Sequence, residues 1–227
     1  MNRKFDREEI LKKFLNDDRS SGGFSRLIDR SLLIRNLLTE AVRVFGETDP
    51  KAIMVKSNSI TNLATEFEVF LKTLIKVCIW PNESGYDKLL SEARLNMNDA
   101  YHLFRNERLT REFIISSYYS LQNLSAVNSV FTQLVGTDFF NAIDNFKSDL
   151  SINTHADVNK HWKPTLENML KIRHEVVHEG KETMLSSDEI ISVSITLDVV
   201  ALFMTFYAEK ISKPNPAYYR EDNSSER

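Results

Sequence analysis

The sequence predicts an all-α fold, and three observations lead to it. Six glycines and five prolines in 227 residues leave long intervals without a helix breaker. Apolar residues recur three and four positions apart instead of alternating, the period of a helix and not of a strand. Helix punctuation falls between the stripes: Gly46 and Gly136 close two of them, Asp49-Pro50 breaks the chain, and Ser186-x-x-Glu189 spells a capping box.

Taken in order, residues 1–23 read as a charged helical arm closed by Ser20-Ser21-Gly22-Gly23. Leu27, Ile28, Leu33, Ile34, Leu37, Leu38, Ala41, Val42 and Phe45 form an amphipathic stripe ending at Gly46. A stronger stripe runs from Ile60 through Phe67, Phe70, Leu71, Leu74 and Ile75 to Cys78, and stops at Trp80-Pro81. A weaker helical pattern covers 86–108. One long helix is expected from about Thr110 to Val135, followed by a short one from Phe139 to about Leu150. The polar SINTHADVNKHW stretch reads as a loop, and Pro164 suits the first turn of a helix that ends before Gly180. The last helix, from the capping box to about Ile211, is rich in β-branched residues but too long for one ordinary strand. Its apolar residues run nearly all round, which predicts burial on two sides, in the core and at a subunit interface. KPNPAYYREDNSSER, from Lys213, has the composition of a disordered tail. The expected layout is an arm (1–23), a helical domain (24–212) and a tail (213–227), without internal repeats.

Composition narrows the function. A formal charge of −3 excludes a generally basic nucleic-acid binder and leaves room only for a local basic site. The single cysteine, Cys78, falls in an apolar stripe; it excludes an internal disulfide framework and a cysteine-ligated zinc finger and makes a reducing cytoplasm the expected compartment. MNRKFDREEILKKF lacks the apolar core of a signal peptide. The run at 190–208 approaches membrane-spanning length but carries Asp198 at its centre, so a buried helix of a soluble protein is expected and no membrane partner.

The chemistry-bearing stretch is KIRHEVVHEG, residues 171–180. His174-Glu175-Val176-Val177-His178 spells H-E-x-x-H, two histidines on one helix face with a glutamate able to polarise a metal-bound water. The metzincin continuation is absent, since Lys181 and Met184 stand where it needs Gly and His. Glu182, Glu189 or Glu209 would have to serve as third ligand, and no spelling selects one. The helical wheel points elsewhere: Leu166, Met169, Leu170, Val176 and Val177 make an apolar face with Arg173 near its middle, and His174 and His178 at its edge beside Glu167 and Lys171. An arginine there is costly unless paired. A structural ion pair is one account of it. The other is phosphate chemistry, with a fixed cation opposite the phosphate oxygens and imidazoles to move the proton.

Arg173 to His178 matches the R-x4-H motif of the HEPN superfamily, and the chain resembles that superfamily in other respects: a motif on a late helix, a long hydrophobic helix after it, and LATEFEVFLKTLI at 63–75, which is similar to the early helix of stand-alone RiboL-PSP-type members. The resemblance covers about 24–212. It implies a helical bundle of HEPN type and a metal-independent endoribonuclease that acts on RNA as a homodimer, without cofactor or metal, across a composite cleft. Arg173 would then hold the scissile phosphate and His178 would act in acid–base transfer at the ribose 2′-OH and the leaving oxygen. His174 would assist, and Glu68 would pair with Arg173. It also suggests a toxin, stress or anti-phage role, with an antitoxin or defence-system partner. A HEPN-like module that binds RNA or protein without cutting is the alternative, because a fold does not guarantee activity; a zinc peptidase is the third.

Other candidates are weaker. Arg105, Arg108 and Arg111 form a local basic series interleaved with Glu107 and Glu112, more suited to a solvated face than to RNA backbone. Tyr118, Tyr119 and Trp162 are possible stacking platforms but have core spacing. His102, His155 and His161 show no ligand spacing to one another.

Overall fold

A computed structural model describes residues 23–93, 110–149 and 156–215, with side chains except at 148–149 and 156–160. The arm before Gly23, the 94–108 part of the weak helical pattern and the chain after Asn215 lie outside the described residues, as do Arg105, Arg108, His102 and His155. Eight helices are described: α1 (Gly23–Phe45), α2 (Pro50–Val77), α3 (Glu83–Glu92), α4 (Arg111–Tyr118), α5 (Leu124–Val135), α6 (Phe139–Asp149), α7 (Ala156–Glu179) and α8 (Ser187–Ile211). The all-α expectation holds.

Gly46, at φ 84°, turns the chain out of α1, and Asp49 starts α2 by accepting the Lys51 amide at 2.8 Å ahead of Pro50. The two helices form an antiparallel hairpin, pinned by Arg26 Nε to Glu66 at 3.0 Å. α2 is the hub of the fold, packing on α1, α4, α7 and α8. Leu63, Phe67, Phe70, Leu71 and Leu74, the stripe read from sequence, are buried along it together with Cys78. At one end Trp80 meets Phe131 edge-on at 5.4 Å, and Phe131 stacks on Phe139 at 4.6 Å. At the other face Phe140 meets Trp162 edge-on at 5.2 Å.

Three elements differ from expectation. The long helix expected over 110–135 is two helices. Thr110 caps α4 through Phe113 N at 3.2 Å, Tyr119 leaves the helix in extended conformation, and Asn123 caps α5 through Ala126 N at 2.7 Å. Apolar periodicity continued through Leu121 and Leu124, so it could not register a break made by a cap.

The stretch expected as loop before Pro164 is helical from Ala156, and Pro164 lies inside α7. Trp162 Nε1 donates to Asp144 Oδ1 at 2.9 Å, and Lys163 Nζ to Asp144 Oδ2 at 2.7 Å. An interior proline costs about 3 kcal/mol; burying the Trp162 ring, worth about 1.5–3 kcal/mol, together with two bonds to one carboxylate, offsets it.

The tail expected to be disordered from Lys213 is ordered at its start. Strand β2 (Lys213–Pro214) pairs antiparallel with β1 (Cys78–Ile79), and Asn215 donates from N to Val77 O at 2.8 Å and from Nδ2 to Lys76 O at 2.9 Å. Residues 213–215 thus satisfy carbonyls at the end of α2, a need no composition argument sees. Gly23, expected in the arm, opens α1 and is buried against Thr73.

α8 begins with the capping box: Ser186 Oγ accepts the Glu189 amide at 3.2 Å and the Glu189 carboxylate accepts Ser186 N at 2.7 Å. By length and composition α8 is the one helix among the described residues that would pass as a membrane span, with 56% of its most apolar window buried inside the fold. It packs on α1, α2, α6 and α7. Asp198 at its centre pairs with Arg35 of α1 at 2.7 Å, which is how a core helix carries a charge.

Lys147 of α6 is 8% exposed, and its Nζ sits 5.5 Å from the Trp162 ring and 5.4 Å from Phe203 with no hydrogen-bond partner among the described residues. Burial pushes its ammonium below the ordinary lysine value, with Asp144 opposing. A cation–π contact returns about 0.5–2 kcal/mol, whereas desolvating an ammonium costs several. Lys147→Met, which keeps the slot filled, is therefore expected to stabilise the fold by about 1 kcal/mol at neutral pH in urea melts. Because the folded value lies below the unfolded one, wild-type stability rises as pH climbs through the window between them. The methionine variant should lose that rise; a less stable variant would show that the ammonium contributes net.

Candidate functional site

α7 is built in two halves. Trp162, Leu166, Met169 and Leu170 are buried under α2, α5 and α8. Beyond Leu170 the cover thins: Ile172, Arg173 and Val176 are half-buried and Val177 is 47% exposed, although the apolar period continues. The R-x4-H sequence occupies this uncovered end. Gly180, at φ 65°, closes the helix, and Lys181 N reaches back to Glu175 O at 3.3 Å.

His174 and His178 are exposed neighbours one turn apart, their ring centroids 4.7 Å apart and the planes tilted by 45°. Glu175 faces Lys171 at 3.9 Å, and Glu179 pairs with Lys181 at 2.7 Å. Lys181 holds the Glu179 carboxyl below the ordinary glutamate value, and His174 adds to that in a smaller measure.

Arg173 departs from the wheel's expectation of a cation held in the bundle interior. It is half-buried and makes no ion pair or hydrogen bond among the described residues. Glu68 of α2 does not pair with it. That carboxylate, half-buried, is bound to Lys72 one turn along its own helix at 2.7 Å, and a partner at i+4 needs no tertiary positioning. The structure thus brings Arg173, His174 and His178 together on one helix end and leaves Glu68 engaged elsewhere.

The loop after the motif is fastened by residues that sequence reasoning missed. Thr183, buried, donates its amide to Ser57 Oγ at 3.0 Å. The Glu47 carboxylate accepts Ser187 N at 2.7 Å and Ser187 Oγ at 3.0 Å, and takes Lys56 Nζ at 3.4 Å. Lys56 is itself buried and also donates to Glu47 O at 3.1 Å. Glu47 in the α1–α2 turn therefore holds the start of α8, and Ser57 of α2 holds the α7–α8 loop. Nothing in the spacing of Glu47, Ser57 and Thr183 announces this, since the partners are separated by more than a hundred residues.

The weaker candidates are placed elsewhere. Arg111 bonds Glu83 Oε1 at 2.8 Å and Glu112 Oε1 at 3.2 Å and lies 3.7 Å over the Tyr86 ring, so it is a structural clamp and not a phosphate contact. Trp162 is buried, and Tyr119 donates to Leu89 O at 2.8 Å. No group of three His, Cys, Asp or Glu able to hold a metal occurs among the described residues. Glu189, one candidate third zinc ligand, is used in the capping box. The donor set of a zinc peptidase is not assembled among the described residues.

A helical bundle with an Arg-His pair and a second histidine on the exposed end of a late helix defines a HEPN-type domain. A family model described as RiboL-PSP-HEPN matches residues 25–212, and the chain belongs to that family. No curated protein and no solved structure matches the chain.

Glu47→Ala is expected to cost about 1–2 kcal/mol, from the lost helix cap and the stranded Lys56 ammonium. The Ser187 amide, foremost, holds the Glu47 carboxyl below its ordinary value. The stability it contributes is thus present above the unfolded glutamate value and lost as pH falls through the lower folded one. Urea melts across the acid range should show a shallower acid decline in the variant; an unchanged decline would remove Glu47 from this role.

Proposed function

We propose that the protein is a metal-independent endoribonuclease of HEPN type. The observation that supports this most is a cation without a partner among the described residues: Arg173, half-buried, stands between apolar neighbours and two exposed imidazoles at the uncovered end of α7 in a chain of the RiboL-PSP-HEPN family. An arginine left without a carboxylate is placed to receive one from outside or, better matched to its fork of donors, a phosphate.

In this reading Arg173 binds the non-bridging oxygens of the scissile phosphate and offsets the charge that builds on them. His178 moves the proton between the ribose 2′-OH and the leaving 5′ oxygen, and His174 orients or assists. The 2′ oxygen attacks phosphorus and the bond to the 5′ oxygen breaks, leaving a 2′,3′-cyclic phosphate and a 5′-hydroxyl. Glu68 is assigned no step, because Lys72 occupies it. The protein acts as a homodimer in which two α7 ends face each other; the exposed Val177 and Met184 beside the motif give that contact an apolar component. A toxin or defence role in the cytoplasm, with a restraining partner, completes the proposal. A module that binds RNA without cutting is the second reading, favoured by one observation: neither imidazole has a hydrogen bond among the described residues to set its tautomer.

Incubation with structured and single-stranded RNA in EDTA tests the proposal. Wild type should cleave and leave cyclic phosphate ends, and Arg173→Ala or His178→Ala should each slow cleavage by about 100-fold or more. Glu175→Ala should retain most activity. A folded dimer that binds RNA and cuts none would decide for the binding module.

A further inference from the structure

The two imidazoles have a second capacity that the nuclease reading does not use. His174 and His178 stand at i and i+4, so helix geometry puts both rings on one face, one turn and about 6 Å of rise apart. Their centroids are only 4.7 Å apart, already drawn together, and both side chains are exposed with no competing hydrogen bond among the described residues. Metal–nitrogen bonds of about 2.1 Å bring two imidazoles on one ion to within about 3 Å of each other, nitrogen to nitrogen. Rotating two exposed side chains into that arrangement costs little beyond rotamer entropy, and the helix that carries them is anchored by the buried Leu166, Met169 and Leu170.

We propose that His174 and His178 chelate one divalent transition-metal ion per chain, and that the ion shuts the site off. Neutral imidazole favours nickel, copper or zinc over magnesium or calcium. The protein supplies two ligands and water fills the remaining positions, which sets this apart from the closed donor set of a structural site or the three-ligand set of a zinc peptidase. The local charge permits it: Lys171 faces Glu175 and Lys181 pairs with Glu179, and among the described residues Arg173 has no carboxylate partner. The inhibitory half rests on the nuclease reading. Metal coordination occupies the imidazole lone pair that would accept the 2′-OH proton, and it places a second positive centre where Arg173 should be the sole anchor of the phosphate.

The test uses tag-free full-length protein and Ni2+ as the probe, with Mg2+ as comparator, in isothermal titration calorimetry. Wild type should bind one Ni2+ per chain and show no Mg2+ heat at the same concentrations. His174→Ala and His178→Ala should each weaken Ni2+ binding by more than about tenfold, with melting curves like wild type because both positions are exposed. Glu175→Gln should bind as wild type does. Absence of Ni2+ binding, or either alanine variant binding as tightly as wild type, overturns the chelate. A second arm follows RNA cleavage with the RNA saturated by excess Mg2+: Ni2+ at a site-saturating concentration should abolish cleavage and EDTA should restore it. Undiminished cleavage at saturation overturns the shut-off. Were wild type to cut no RNA even in EDTA, the nuclease reading and the shut-off would both fall, while the calorimetry would still decide the chelate.

Discussion

The site depends on a single constraint, the fixation of α7 by its first half. Asp144 receives both Trp162 and Lys163, and Leu166, Met169 and Leu170 are buried under the neighbouring helices. The same rigid element then continues past the edge of the core and carries Arg173, His174 and His178 into a region where the cover is thin. A loop in that place would have to order three side chains at the moment of use; a helix anchored two turns back has already met that cost. The interior Pro164 belongs to the same arrangement. It breaks one backbone bond in a part of the helix where side-chain anchoring is strongest, and leaves the motif end with an uninterrupted hydrogen-bond ladder.

What the sequence made legible follows from this division. The motif was visible because its members lie within six residues on one helix, where spacing translates directly into geometry. The α2 stripe and the capping box were visible for the same reason. Arg173 was assigned the right face and the wrong surroundings: a wheel gives the azimuth of a side chain but not how far along the helix its neighbours extend. Glu68 is bound by a lysine one turn away on its own helix, a local partner that reasoning about distant pairings does not weigh. The break at Tyr119–Asn123, the helical Ala156–Trp162 stretch and the ordered Lys213–Asn215 segment all depend on bonds to residues distant in sequence or on caps inside a continuous apolar period. Local pattern carries no information on either.

The placement of α8 shows how a helix with so little amphipathic character finds one orientation. Apolar on most sides, it could rotate in its slot with small loss of buried area. Arg35 meets this on α1: its Nη1 donates to Ser194 Oγ at 3.0 Å and to Asp198 Oδ2 at 2.7 Å, while Ser31 and Ser194 hydroxyls share a 2.6 Å bond. Ser194 and Asp198 lie one turn apart, so only one rotation of α8 satisfies both. The network is not a strong source of stability, because Asp198 Oδ1 has no hydrogen-bond partner among the described residues and burial pushes that carboxyl above its ordinary value. Its contribution is to make the wrong rotations costly, since each would strand a buried charge.

That orientation reaches the motif through the chain itself. With α8 fixed in rotation, its first residue presents the Ser187 amide and hydroxyl to Glu47, while Thr183 is fixed on Ser57. The Gly180–Ser186 loop is thereby held at both its middle and its end, and it begins two residues after His178. The motif end is thus bounded on one side by the buried side chains of Leu166, Met169 and Leu170 and on the other by the contacts to Glu47 and Ser57. Within those two anchors Arg173 makes no ion pair or hydrogen bond among the described residues, whereas the glutamate of H-E-x-x-H faces Lys171.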